Sequence, residues 1–238
     1  MCGRFSLGSP ESELYEEFGL LPPDDYRPRY NIAPSQDVLA VAGTGDAARL
    51  GRLRWGLVPA WAKDPSIGNR MINARAETLA EKPSFRDAFR RRRCLVLADG
   101  WYEWRREGSR KTPMRITLRS GRPFAFAGIW ERWSPADAEP LLTCAIVTRA
   151  AVPAVAPVHD RMPLVLGPEE RRHWLDPEAD SAALQQLLRD EPAADLVAYE
   201  VSTRVNSPRN DDPECIEPVG TGVAPPGDGG TSLNGVDG

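Results

Sequence analysis

Histidine and cysteine are scarce in this chain. There are two histidines, His159 and His173, and four cysteines, Cys2, Cys94, Cys144 and Cys215. With no C-x-x-C pair and so few histidines, neither a zinc site nor a disulfide framework is expected. Reduced thiols fit a cytoplasmic protein. Long apolar runs are missing too. Runs such as Cys94–Ala98 and Cys144–Val147 fall far short of a bilayer span, so no membrane partner is expected. The amino-terminal residues lack the basic segment and apolar stretch of a secretory signal. A glycine-rich phosphate loop, a serine nucleophile elbow and a metal motif are all absent, and no cofactor is expected.

What remains is 238 residues of ordinary apolar and charged content, enough for a sizeable core in one domain or two small ones. The net charge of −4 conceals an uneven distribution. Residues 208–238 carry one base, Arg209, and six acids, which leaves 29 bases and 28 acids in the body. Within that body Arg90–Arg93 is an unbroken arginine run, with Arg105, Arg106, Arg110 and Lys111 soon after. Charge alone fits a phosphate-binding patch or a solvated helix face equally well.

Periodicity predicts more strands than helices. A helix is expected after Ser9-Pro10, ended by Gly19, with Ser9 as its cap. Residues 20–35 read as an ordered proline-rich loop. Strands are expected at Asp37–Ala42, Leu53–Leu57, Cys94–Ala98, Trp101–Arg105, Met114–Arg119, Pro123–Ile129, Leu141–Thr148, Met162–Leu166 and Leu196–Val201. Asp99-Gly100 reads as a turn between two strands, and Ser120-Gly121 as the turn of a hairpin. Helices are expected at Pro83–Arg92, Gly167–Leu175 and Ser181–Leu188. The prediction is an α+β fold with curved, mainly antiparallel sheets, partly barrel-like, flanked by short helices. From Val219 onward the composition is that of a disordered tail.

Three stretches carry more polar and aromatic residues than core strands need: MINARAET (71–78), ADGWYEW (98–104) and PVHDRMPLVL (157–166). Each also has an ordinary structural reading. Asn73 can satisfy a local turn. Glu103, between Tyr102 and Trp104, can face solvent on a period-two strand. A single histidine such as His159 is more often structural than catalytic.

Taken together, MCGRF, YNIAPSQ, WGLVPAW, INARAET, ADGWYEW and HDRMPLVL occur in this order. In this series the chain resembles the SRAP family, the SOS response-associated peptidase-like abasic-site processing proteins. The resemblance runs from Cys2 to about Val219 and implies one domain, residues 2–218, followed by a tail, 219–238. It implies a covalent crosslink between the amino-terminal cysteine and abasic sites in single-stranded DNA, formed by a monomer. It places Cys2, Asn73, Glu103 and His159 in the chemistry. Arg4, Pro34, Trp61, Arg75 and Arg161 become DNA-facing residues. Some bacterial members carry a second tryptophan after Trp61; here Ala62 follows.

The position of Cys2 fits that chemistry. Once Met1 is removed, one residue carries both a free α-amine and a thiol. The amine can condense with an aldehyde, and the thiol can then close a five-membered thiazolidine on the same carbon. Two other readings stay open. N-terminal-nucleophile glutamine amidotransferases also begin Met-Cys-Gly, although their RGPD-like and HTRWAT-like stretches are missing here. A non-enzymatic single-stranded DNA-binding protein would leave Cys2 incidental.

Overall fold

The alternation of apolar residues through the middle of the chain produces strands that close on themselves. The computed structural model describes residues 2–135, 139–192 and 194–220. In chain order its elements are β1 (Phe5–Leu7), α1 (Glu11–Phe18), β2 (Arg29–Ile32), β3 (Asp37–Ala42), β4 (Arg49–Trp55), β5 (Asn73–Arg75), α2 (Arg86–Arg91), β6 (Arg93–Ala98), β7 (Gly100–Glu107), β8 (Arg110–Leu118), β9 (Phe124–Trp133), β10 (Leu141–Ala150), β11 (Arg161–Pro163), β12 (Val165–Leu166), α3 (Pro168–Leu175), α4 (Ser181–Arg189) and β13 (Leu196–Glu200).

Strands β3, β4, β6, β9 and β10 form a ring. β4, β3, β6, β9 and β10 follow one another in antiparallel pairs, and β10 returns to β4 through a parallel pairing at Thr143↔Arg54 and Cys144↔Trp55. The result is a five-stranded mixed barrel, and closure removes the exposed edges that an open sheet would leave. β5 and β11 attach to β10, and β12 to β9. A second, antiparallel sheet has the order β13-β8-β7-β1-β2.

Aromatic side chains join the two sheets. Phe5 of β1 meets Trp55 of β4 edge-on at 5.1 Å and Phe126 of β9 at 5.7 Å. Trp101 of β7 meets Phe126 at 6.0 Å. Phe5, Trp55, Trp101 and Phe126 are all fully buried. An aromatic contact of this geometry contributes about 0.5–1.5 kcal/mol beyond its buried area. The third residue after Cys2 is therefore an anchor that fixes the start of the chain to the barrel.

Gly56 and Gly68 set the path of the WGLVPAW segment. Gly56 has φ 135°, and a Cβ there would lie 2.7 Å from the Gly68 carbonyl oxygen. Only glycine permits both this conformation and this approach.

Several expectations need correcting. The loop expected at 20–35 contains β2, held by β1 and by Asp211 rather than by any alternation of its own. Asp99-Gly100 is not a hairpin turn: β6 belongs to the barrel and β7 to the second sheet, so the chain crosses between sheets there. Ser120-Gly121 likewise links β8 and β9 across the two sheets, and the actual hairpin is β7–β8. Met162–Leu166 divides into β11 and β12, which pair with different strands. Ser9 does not cap α1; its N–H donates to Asp99 Oδ2 at 2.9 Å, while Gly19 does end the helix at φ 68°. Helix α2 begins only at Arg86.

The four-arginine run is also mixed in role. Arg93 is buried and donates to the carbonyls of Phe89 and Arg90, at the end of α2, and of Trp174 and Asp176, at the end of α3. Arg92 pairs with Glu131 at 2.7 Å. Arg90 and Arg91 are exposed. The final stretch read as a tail lies, from residue 221, outside the described residues.

Candidate active site and nucleic-acid interface

The amino-terminal segment is seated against β7. Phe5 pairs with Trp101, and the Tyr102 N–H donates to the Arg4 carbonyl at 2.9 Å. In this antiparallel register the chain from Phe5 back to Cys2 runs along β7 toward Glu103. Asp99 fixes the register. Its Oδ1 accepts from Ser6 Oγ at 2.6 Å and from Arg115 at 2.9 Å, and its Oδ2 accepts from the N–H groups of Gly8 and Ser9. Arg115 also donates to the Tyr199 hydroxyl at 2.7 Å. Gly100 makes room for this guanidinium, since a Cβ there would lie 2.6 Å from Arg115 Nε.

Cys2 is completely buried. Its carbonyl accepts from Asn73 Nδ2 at 2.7 Å. Asn73 is carried on β5, whose parallel pairing with β10 sets Asn73 opposite Ile146. The other amide atom, Asn73 Oδ1, is buried without a hydrogen-bond partner among the described residues. Burial pushes the Cys2 thiol far up from its ordinary value, and the Glu103 charge adds to the shift. The resting sulfur is a thiol, and it needs a base to become a nucleophile.

Glu103 is 4% exposed, so the solvent-facing reading of this position is overturned. Both Glu103 and its neighbour Tyr102 are buried, because β7 is covered on both faces at this point. Burial raises the Glu103 carboxyl to about 7, against the pull of the chain's amino terminus, and Asp160 adds a smaller push upward. His159 Nε2 stands 3.9 Å from Glu103 Oε2. Burial, reinforced by the amino-terminal charge, lowers the His159 pKa and favours the neutral ring. The Arg161 N–H donates to His159 Nδ1 at 2.9 Å, which assigns the ring proton to Nε2, on the Glu103 side. Asp160 Oδ1, also 2.9 Å from Nδ1, is placed to accept a hydrogen bond from Nδ1–H when the ring is charged. Cys2, Asn73, Glu103 and His159, scattered over 158 positions of sequence, form one group.

The other expected site residues have varied surroundings. Trp61 is 61% exposed, on a loop tied down where Trp133 Nε1 donates to the Ala62 carbonyl at 2.7 Å. Arg75 is exposed on β5, and Pro34 is half-buried beside Ser35, which adopts φ 69°. Arg4 is half-buried and has a structural task as well. Its Nη1 donates to Asn31 Oδ1 and to the Val205 carbonyl, both at 2.8 Å. Arg161 forms a two-pronged pair with Glu77 and donates to the Thr148 carbonyl at 2.8 Å, so a phosphate would have to compete with that carboxylate.

Sequence reasoning missed Asp99 and Asn31. Asn31 is fully buried, and its Nδ2 donates to the carbonyls of Val205, Ser207 and Asn210. Asp211 in turn accepts from the Tyr30 and Asn31 N–H groups and pairs with Arg29. A buried asparagine in a strand is a signal only once its strand is known. The larger clefts lie apart from Cys2. One of about 680 Å³, lined by Arg90, Arg149 and Gln185, includes none of Cys2, Asn73, Glu103 and His159 and reaches toward them only through Glu77, the partner of Arg161.

A family model described as SOS response associated peptidase (SRAP) matches residues 1–208. The abasic site processing protein YoqW of Bacillus subtilis is 49% identical over 222 residues, spanning 91% of this chain and 99% of that protein. The abasic site processing protein YedK of Escherichia coli is 34% identical over 231 residues, spanning 92% of this chain and all of that one. A crystal structure of a Bacteroides thetaiotaomicron protein superposes with a TM-score of 0.81 at 27% identity, covering 91% of this chain and 99% of the other. An anchored cysteine at the head of the chain, gathered with Asn73, Glu103 and His159, thus sits in a fold and a sequence shared with these proteins, and the chain belongs to the SRAP family.

Proposed function

We propose that this protein processes abasic sites in single-stranded DNA by a covalent crosslink at Cys2. The observation that carries the reading is the convergence of Asn73, Glu103 and His159 on a buried residue that becomes the amino terminus once Met1 is removed. The names of the relatives support the substrate. The proposed unit is residues 2–218, because contacts as late as Asp211 hold the strand beside Arg4. The four buried, unlinked cysteines support a reducing compartment, the cytoplasm.

The ring-opened abasic sugar presents an aldehyde at C1′. The Cys2 α-amine adds to it and water leaves, giving a Schiff base. An α-amine titrates near ~8, against ~10.4 for lysine, so more of it is unprotonated at neutral pH. Left alone, the Schiff base acidifies the C2′ proton and opens the way to β-elimination and strand cleavage. The thiol prevents this by adding to the imine carbon. A C–S bond forms, the C=N π pair passes to nitrogen, and the thiol proton ends there. Holding both nucleophiles on one residue gives the second attack a high effective concentration.

The surrounding groups fit these steps. Glu103, with a pKa of about 7, can take the thiol proton and return it to nitrogen. His159 presents an N–H near Glu103 and can protonate the departing oxygen. Asn73 holds the Cys2 backbone through one amide atom and leaves the other for the sugar. Arg75 and Trp61 offer an exposed cation and an exposed ring to phosphate and base.

The test is denaturing electrophoresis and intact mass after mixing with abasic single-stranded DNA. Wild-type protein should give an adduct that survives denaturation without borohydride, at the mass of the chain lacking Met1. The Cys2→Ala variant should lose that adduct, yet still yield a borohydride-trapped imine. A heat-stable adduct from Cys2→Ala without borohydride would show that another residue makes the bond.

A further inference from the structure

The outer half of the β7–β8 hairpin leaves the sheet. β1 pairs with β7 only at Gly100 and Trp101, and β13 pairs with β8 only from Met114 to Leu118. Beyond Glu103 and Met114 the two strands continue paired with each other, from Trp104↔Pro113 to Glu107↔Arg110, with one backbone tie at their base, from the Val201 N–H to the Pro113 carbonyl. They form a two-stranded ribbon. Because β1 runs antiparallel to β7, the chain from Phe5 to Cys2 points along β7 toward this ribbon.

The ribbon carries Arg105, Arg106, Arg110 and Lys111 against one acid, Glu107. Arg105 pairs with Glu107 at 2.8 Å, and Arg110 stands 3.7 Å from Glu200. Arg106 and Lys111 are exposed and have no ion-pair partner among the described residues. They lie directly opposite each other across the strands. Like charges in that position destabilise a strand pair, so folding alone gives no reason for the arrangement. The ribbon also lies close to the chemistry. Arg106 is three residues beyond Glu103, ~10 Å along an extended strand, roughly three nucleotides at stacked spacing. Its charge reaches His159, where it is among the influences that lower the imidazole pKa.

We infer that Arg106 and Lys111 form a phosphate clamp for the DNA flanking the lesion, a contact beyond Arg4, Arg75 and Arg161. The inference rests on the DNA reading given above. The ligand is the phosphodiester backbone, which comes either from the continuing single strand or from an adjoining duplex. A two-stranded ribbon can follow one strand or lie in a groove.

The experiment titrates wild-type protein and the Arg106→Gln/Lys111→Gln variant with labelled undamaged DNA at several salt concentrations, followed by fluorescence anisotropy. One probe is a single strand and the other a single strand joined to a duplex. Loss of two contacts should reduce the slope of log K against log salt by ~1.4 on the single strand. The Tm should stay level or rise, because an opposed like-charge pair has been removed. A reduction on both probes assigns the clamp to the single strand, and one confined to the joined probe assigns it to the duplex. An unchanged slope on both probes overturns the clamp. Since neither probe has an abasic site, failure of the Cys2 chemistry would leave these slopes untouched. A wild-type protein without salt-dependent binding would instead defeat the DNA reading itself.

Discussion

Replacing Asp99 by alanine tests how the reactive end of the chain is held. The carboxylate and its partner Arg115 are each only 7% exposed at the side chain, 2.9 Å apart. Asp99→Ala leaves the guanidinium buried with the Tyr199 hydroxyl, Ser6 Oγ and the residue 99 carbonyl as its remaining acceptors. Removing one member of a buried ion pair costs about 3–5 kcal/mol. The Ser9 N–H, which is buried, loses its acceptor as well, and the half-buried Gly8 N–H can turn to water. For a chain of this size each kcal/mol lowers Tm by about 2–4 °C, so the expected fall is about 6–20 °C. Urea denaturation supplies the free energy and calorimetry the Tm. The companion variant Asp99→Leu/Arg115→Met removes both charges and should recover most of the loss, because a buried pair is often replaceable by apolar groups of similar volume. Crosslinking should fall with Asp99→Ala even at temperatures where the protein is folded, since Ser6 of β1 and Gly8 and Ser9 just after it lose the shared acceptor that sets their register. A loss under about 1 kcal/mol, below the range for a broken buried pair, or a double variant no better than the single one, would refute the reasoning.

Other expected outcomes follow from single side chains. Glu103 has its carboxyl raised from 4.5 to about 7, so the folded chain holds a proton that the unfolded chain has lost. Its contribution to stability therefore falls as pH rises from 4.5 to about 7 and is flat above, by on the order of 3 kcal/mol. Glu103→Gln should then stabilise the protein at pH 8 more than at pH 5 by denaturant titration; if Glu103 is the base that takes the thiol proton, wild-type crosslinking should quicken as the pH rises through about 7 and the variant should not, and an equal stability effect at both pH values would contradict the burial argument. Trp61→Ala should leave Tm within the small range of exposed substitutions but weaken single-stranded DNA binding by about 1–3 kcal/mol if a base stacks there. Unaltered affinity in anisotropy titrations would remove Trp61 from the interface.

The sequence made some of this legible, and the reasons are specific. β3 was readable in full because its apolar residues and flanking polar ones bound it on both sides. Barrel-like curvature was expected, but the pairing that closes it was not, since that depends on β10 meeting β4 in parallel, residues about ninety apart with no local signature. Asp99-Gly100 has the composition of a turn, but Gly100 is there to admit Arg115, and the chain changes sheet instead of reversing. The chemistry proposed for Cys2 was suggested by its place beside Met1 together with the family resemblance, and by no local pattern of its own. Glu103 was ambiguous because alternation assumes one wet face, and β7 has none at that residue. The arginine run looked uniform, yet Arg93 caps two helices and Arg92 holds Glu131, distinctions that only tertiary packing creates.

The bond from Arg4 to the Val205 carbonyl joins residues 201 positions apart. Translated into the order of synthesis, the segment around Arg4 waits for residues made 201 positions later before its seat is complete. At roughly 5–20 residues per second that interval is on the order of 10–40 s. In the proposed chemistry this leaves Met1 accessible for removal before any assembled pocket could capture an aldehyde. Reactivity and folding are thereby tied together: a nascent or broken chain carries the same cysteine as the finished protein, but not the arrangement that directs it.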